Sequence, residues 1–120
     1  MDKPILCLDF DGVIHSYYSG WKGADVISDP PVTGAMEFIK NALEDFTIHI
    51  FSSRSNQPGG LSAMKAWMYC YADFAPWLDE LAWPLEKPAA FLTIDDRALT
   101  FDGTWPKIED LKAFKPWNKR

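Results

Sequence analysis

An apolar run near the start of the chain, Ile5-Leu6-Cys7-Leu8, ends on two carboxylates, Asp9 and Asp11, which are separated by Phe10 and followed by Gly12. Side chains alternate along an extended strand, so the two acids share one side and Phe10 turns away into packing. Carboxylates so placed repel each other unless a cation or a proton lies between them. Taken alone, the stretch also reads as an Asp-Gly turn with solvated acids. Three later features change the balance: Ser52 closes the apolar run Thr47 to Phe51, Lys87 precedes the run Phe91 to Ile94, and Asp95-Asp96 follow it. Phosphoryl transfer uses such a set: a carboxylate nucleophile, a second carboxylate to move a proton, acids to hold a divalent cation, and a hydroxyl with an ammonium to hold the transferred oxygens.

Those residues need a scaffold that brings distant segments to one edge. Three short apolar runs without polar alternation read as strands buried on both faces, as in a parallel sheet. Between the first two, Thr33 is the expected N-cap of a helix from about residue 34 to 45, with Met36, Phe38, Ile39, Ala42, Leu43 and Phe46 on one side. Strand, crossover helix and strand make a βαβ unit with parallel strands. The carboxyl ends of the strands then lie together where open α/β sheets place their ligands. Residues 13–33 read as a flap, with a small hairpin near Ala24 to Ile27, because Pro30-Pro31 continues neither a helix nor a central strand. After Pro58-Gly59-Gly60 a second helix is expected over about 61–72. A short helix near 77–81, a short strand near Trp83, an edge strand and turn at 101–106, and a helix over about 108–114 complete the reading. The basic end, with Lys112, Lys115, Lys119 and Arg120, is read as a solvated helix end in preference to a docking patch.

A chain of 120 residues suits one domain, 1–120, and is long enough to bury a core. A net charge of −5 argues against a broad nucleic-acid-binding surface. The two cysteines, Cys7 and Cys70, belong to no paired motif and are expected to be buried thiols in a reducing compartment. No apolar run has the length of a signal peptide or a membrane span, so a cytoplasmic protein with no membrane partner is expected.

Leu8-Asp9-Phe10-Asp11-Gly12-Val13 resembles the first motif of the haloacid dehalogenase superfamily. Phe51-Ser52-Ser53-Arg54, Lys87 and Ile94-Asp95-Asp96-Arg97-Ala98 are similar to its second, third and fourth motifs, in order. The resemblance runs from Ile5 to Ala98. It implies a single three-layer Rossmann-like α/β domain with a mainly parallel central sheet and no cap domain, and a phosphatase working through an aspartyl phosphate on Asp9. Asp11 would protonate the leaving group and then activate water. Ser52, Lys87 and Gly12 would bind phosphate. Asp9, Asp11 through its backbone carbonyl, Asp95 and Asp96 would serve Mg²⁺, a cation that hard oxygen ligands suit in any case.

Rivals stand beside several assignments. Lys87 is preferred over Lys65, which lies inside a helix, and Ser52 over Ser53. Arg54 and Arg97 are read as ion-pair partners of the acids, His15 as a solvated loop histidine, and His49 as a hydrogen-bonded core residue. With no room for a cap the site should be open. It would take a polymer end, a protein, or a small phosphorylated substrate enclosed by a second subunit of a homo-oligomer, with Trp21, Tyr17 and Tyr18 available for stacking. The competing functions are a phosphoacceptor signalling module, whose nucleophile would normally come from a middle strand, and a scaffold with a relic site.

Overall fold

The computed structural model describes residues 2–120. It is an α/β domain built on a three-stranded parallel sheet of β1 (Ile5–Leu8), β2 (Thr47–Ile50) and β3 (Leu92–Ile94), in the order β2-β1-β3. Three α-helices accompany it: α1 (Ala35–Ala42), α2 (Gly60–Tyr71) and α3 (Ile108–Lys112). The apolar runs become strands because β-branched and aliphatic side chains pack on both faces of the pleat. Leu6 and Leu8 of β1, and Ile48 and Ile50 of β2, are buried with Ile39 and Leu43 and with Met64, Trp67 and Met68 of α2 in one core.

Register sets the site. Leu8 pairs with Ile50 on one side and with Ile94 on the other, so all three strands end level. Beyond the ladder the Asp9 amide donates to the Ile94 carbonyl at 3.0 Å, and the Phe51 amide to the Leu8 carbonyl at 3.1 Å. Asp9 and Asp95 therefore follow directly from the last paired residues of β1 and β3, and Ser52 comes one residue later on β2, after Phe51.

Several boundaries move for identifiable reasons. The N-cap of α1 is Gly34, at φ 83, rather than Thr33. Without a side-chain cap, α1 is eight residues long and stops where the Lys3 ammonium reaches the Leu43 carbonyl at 2.7 Å. Phe38, expected on the buried stripe, is 48% exposed. No hairpin forms at Ala24 to Ile27, because the carbonyls of Gly23, Ala24 and Val26 all accept hydrogen bonds from the Arg54 guanidinium. The strand expected near Trp83 is reduced to one parallel bridge between His49 and Ala82. The helix expected near 77–81 is a 3-10 turn, Pro76–Glu80, and residues 101–106 form a bend with the Thr104 amide on Asp102, not an edge strand.

The largest departure is β3. It was expected to be buried on both faces, yet Phe91 is 74% and Leu92 53% exposed. β3 is an edge strand, and α3, which has no buried residue, does not fold back over it. Cys70 is likewise exposed rather than buried. Among the described residues no helix is long and apolar enough to cross a membrane.

Candidate active site

The three level strand ends bring carboxylate oxygens of Asp9, Asp95 and Asp96 within 4.8 Å of one another. Local bonds aim two of these acids: Asp9 Oδ1 accepts from the Phe10 amide and Asp95 Oδ1 from the Arg97 amide, both at 2.8 Å. Burial pushes the Asp9 carboxyl up to about 8, aided by the hydrogen bond it shares with Asp96 and by the negative charge of Asp95. Three carboxyl groups with oxygens this close, around an Asp9 whose ionisation burial and both neighbours oppose, form a hard-oxygen pocket that a divalent cation would relieve. The residues present therefore fit a hard divalent cation.

Asp11 is different. Its carboxylate stands outside that cluster, with Oδ2 accepting from Arg54 Nε at 2.8 Å and Oδ1 beside His15 Nδ1 at 2.9 Å. The Asp29 amide donates to His15 Nε2 at 3.1 Å, so the lone pair is at Nε2 and the neutral ring carries its proton on Nδ1, directed at Asp11. His15 is thus a buried link and not a solvated loop residue. It joins Asp11 to Asp29, whose carboxylate is held below the usual range by the Ser19 hydroxyl and amide.

Arg54 organises the flap. Fully buried, it pairs with Asp11 through Nε, and Nη1 donates to Gly23, Ala24 and Val26 carbonyls at 2.9, 2.9 and 3.0 Å. The Trp21 ring lies 4.7 Å from its guanidinium carbon. Its place follows from Ser52, which N-caps the 3-10 turn Ser53–Asn56: Ser52 Oγ accepts from the Arg54 amide and Ser55 Oγ from the Ser52 amide, each at 3.1 Å. Gly60 packs against the Arg54 carbonyl where a Cβ has no room. The ion-pair role expected for Arg54 is met. The three flap carbonyls that it also binds were not legible, since nothing in a Ser-Ser-Arg-Ser run says where the guanidinium goes.

Two cavities flank Asp9. One, of about 240 Å³, is lined by Cys7, Ser52, Lys87, Thr93 and Asp95 among others. The other, of about 180 Å³, is lined by Asp11, Tyr17, Trp21, Asp96 and Arg97, with Ser52 and Ser53 on the shared wall. Ser52 spends an acceptor site on the Arg54 amide, which leaves its hydroxyl hydrogen for a ligand. Lys65 lines neither of them and faces a separate cavity with Asp79 and Trp83. Arg97 faces the two cavities and makes no ion pair within 4.0 Å among the described residues.

Two further expectations need correction. The Gly12 amide, expected to bind phosphate, donates instead to the His15 carbonyl at 2.8 Å, and Gly12 packs against the Asp96 carboxylate. His49, expected to be hydrogen-bonded, has a buried Nδ1 without a partner. A further contact to the site comes from a segment read as solvated: Trp117 Nε1 donates to the Gly12 carbonyl at 2.6 Å. A bulky aromatic after Pro116 in an otherwise basic run was the available signal. Comparison with protein-family models, with curated proteins and with solved structures finds no match to this chain.

Proposed function

We propose that the protein is a Mg²⁺-dependent phosphomonoester hydrolase with a haloacid-dehalogenase-like, three-layer arrangement, acting through an aspartyl phosphate on Asp9. The observation that carries this reading is the convergence of Asp9, Asp95 and Asp96 on one point, between a cavity bearing Ser52 and Lys87 and a second one bearing Asp11.

Asp9, Asp95 and Asp96 would hold the cation, which when bound neutralises the acids and the phosphoryl oxygens. The Lys87 ammonium and the Ser52 hydroxyl steady the transferred phosphoryl group from the larger cavity. An Asp9 carboxylate oxygen attacks phosphorus as the ester P–O bond breaks, and Asp11, in its acid form, gives the departing oxygen its proton. Asp11, now a carboxylate, takes a proton from water, whose oxygen attacks the same phosphorus and releases phosphate and free Asp9. His15 and Arg54 fix the orientation of Asp11 throughout.

One observation supports the alternative of a phosphoacceptor module: both Asp11 oxygens are already occupied by Arg54 and His15. An acid so held would be slow to assist the second step, leaving the aspartyl phosphate long-lived. A panel of phosphomonoesters, nucleotides and 3′- or 5′-phosphorylated oligonucleotides, assayed with Mg²⁺ or chelator, separates the two. Hydrolysis that needs Mg²⁺ and falls about 10³-fold or more in Asp9→Asn is expected. Undiminished turnover in that variant eliminates Asp9 as nucleophile, and a stable phosphoprotein without turnover selects the module.

A further inference from the structure

Tyr17 has φ 62, the left-handed backbone region that a residue bearing a Cβ rarely adopts. Such strain persists only where neighbours over-determine it, and it concentrates at functional sites. Its neighbours here are held from an unexpected quarter. The carbonyl of Ser16, just before Tyr17, accepts from Asn118 Nδ2 at 2.9 Å, and that of Tyr18, just after it, accepts from Lys119 Nζ at 3.0 Å. The same short turn, Trp117–Lys119, places its indole N–H on the Gly12 carbonyl and its ring edge-on to Tyr18, with centroids 5.8 Å apart. Pro116, which leads into the turn, is buried, whereas residues 99–114 are exposed apart from half-buried Pro106. One strained residue is therefore bracketed by two bonds from a segment about a hundred positions away.

The strain has a destination. The Tyr17 ring meets His15, centroids 5.7 Å apart, and lines the smaller cavity with Asp9, Asp11 and Asp96. That is the cavity on the proton-donating side, where the alcohol portion of a phosphomonoester would lie.

We propose that Tyr17 contacts the leaving-group portion of the substrate, and that Trp117–Lys119 is a clasp that holds Tyr17 in its strained conformation, taking over the enclosing role of a cap. This rests on the phosphatase reading for the nature of the ligand, but not for the existence of the clasp. Because the clasp touches backbone carbonyls of the flap and not the reacting atoms, its loss should weaken substrate binding more than chemistry.

Three proteins test it with p-nitrophenyl phosphate as probe: Asn118→Ala with Lys119→Met, Tyr17→Gly, and the combination. Tyr17→Gly removes the side chain while relieving the backbone. Each of the first two should raise KM about 5- to 10-fold with kcat within about 2-fold, and the combination should add little, as residues acting along one route do. An unchanged KM in either, or fully multiplicative effects, overturns the proposal. Amide hydrogen exchange of residues 16–20 reads the clasp independently of activity. Faster exchange in the Asn118/Lys119 variant supports the clasp even if the wild type hydrolyses no phosphomonoester, a result that would defeat the phosphatase reading alone. Unchanged exchange there overturns the clasp whatever the kinetics.

Discussion

At the scale of single residues, Asp9 shows how position changes the acidity of an ordinary side chain. Its carboxyl is raised to about 8, first by burial and then by Asp96 and Asp95. Below the ordinary carboxyl range both folded and unfolded chains carry this proton. As pH rises towards 8 the folded chain retains a proton that the unfolded chain has released, so the stabilising contribution is lost across that window. In chelator the thermal midpoint should therefore fall between about pH 4 and 8, and the decline should flatten when Mg²⁺ is added. Asp9→Asn should remove the dependence and raise the metal-free midpoint at pH 8 by about 2–5 °C, measured by scanning calorimetry. A midpoint that rises with pH in chelator would show that the acids are not crowded as described. The identities of Asp9, Asp95 and Asp96 were legible in the sequence because each follows an apolar run. The separation of Asp11 from them was not, because alternation along a strand predicts a shared side but says nothing of a buried arginine arriving from another element.

At the scale of elements, the flap is a loop held partly by its own cross-bonds and partly from outside. Residues 13–33 contain no helix and only isolated bridges; the Gly23, Ala24 and Val26 carbonyls accept from Arg54, and His15 joins the two ends of the loop, bridging to Pro31 and accepting from the Asp29 amide. Composition identified the loop, through its prolines and glycines. It also suggested a hairpin, which fails because the guanidinium takes the carbonyls a second strand would need. Arg54→Ala should cost about 3–5 kcal/mol in chemical denaturation, since it strands a carboxylate and three carbonyls in the interior. Arg54→Lys keeps the charge and loses the fork, so it should cost less in stability but still expose the Gly20 to Ile27 segment to limited proteolysis. Proteolysis indistinguishable from wild type in both variants would remove Arg54 from this role.

At the scale of the whole molecule, the sheet is asymmetric: one edge is extended by the Ala82 bridge, the other is open at β3. The radius of gyration of 15.1 Å exceeds the roughly 13.6 Å of a globular chain this long, in keeping with an exposed segment 99–114 standing off the body. Energetic weight should follow burial rather than strand membership. Ile50→Ala, in the closed part of the core, should cost about 2–5 kcal/mol, whereas Leu92→Thr on the open strand should stay within about 0.5 kcal/mol, both by urea denaturation. Equal costs would mean that β3 is covered in solution.

Residue order alone determined which groups converge, because apolar runs specify strands, parallel strands joined by a crossover must end at one edge, and the groups directly after those runs are carried there. Only the tertiary structure decided what each group does on arrival. Asp11 is bound by Arg54 and His15, the Gly12 amide is turned inward, Tyr17 is held in strain by a distant turn, and β3 is left open. Each of those outcomes depends on which buried donor reaches which carbonyl or carboxylate across long stretches of chain, and no local periodicity encodes that choice.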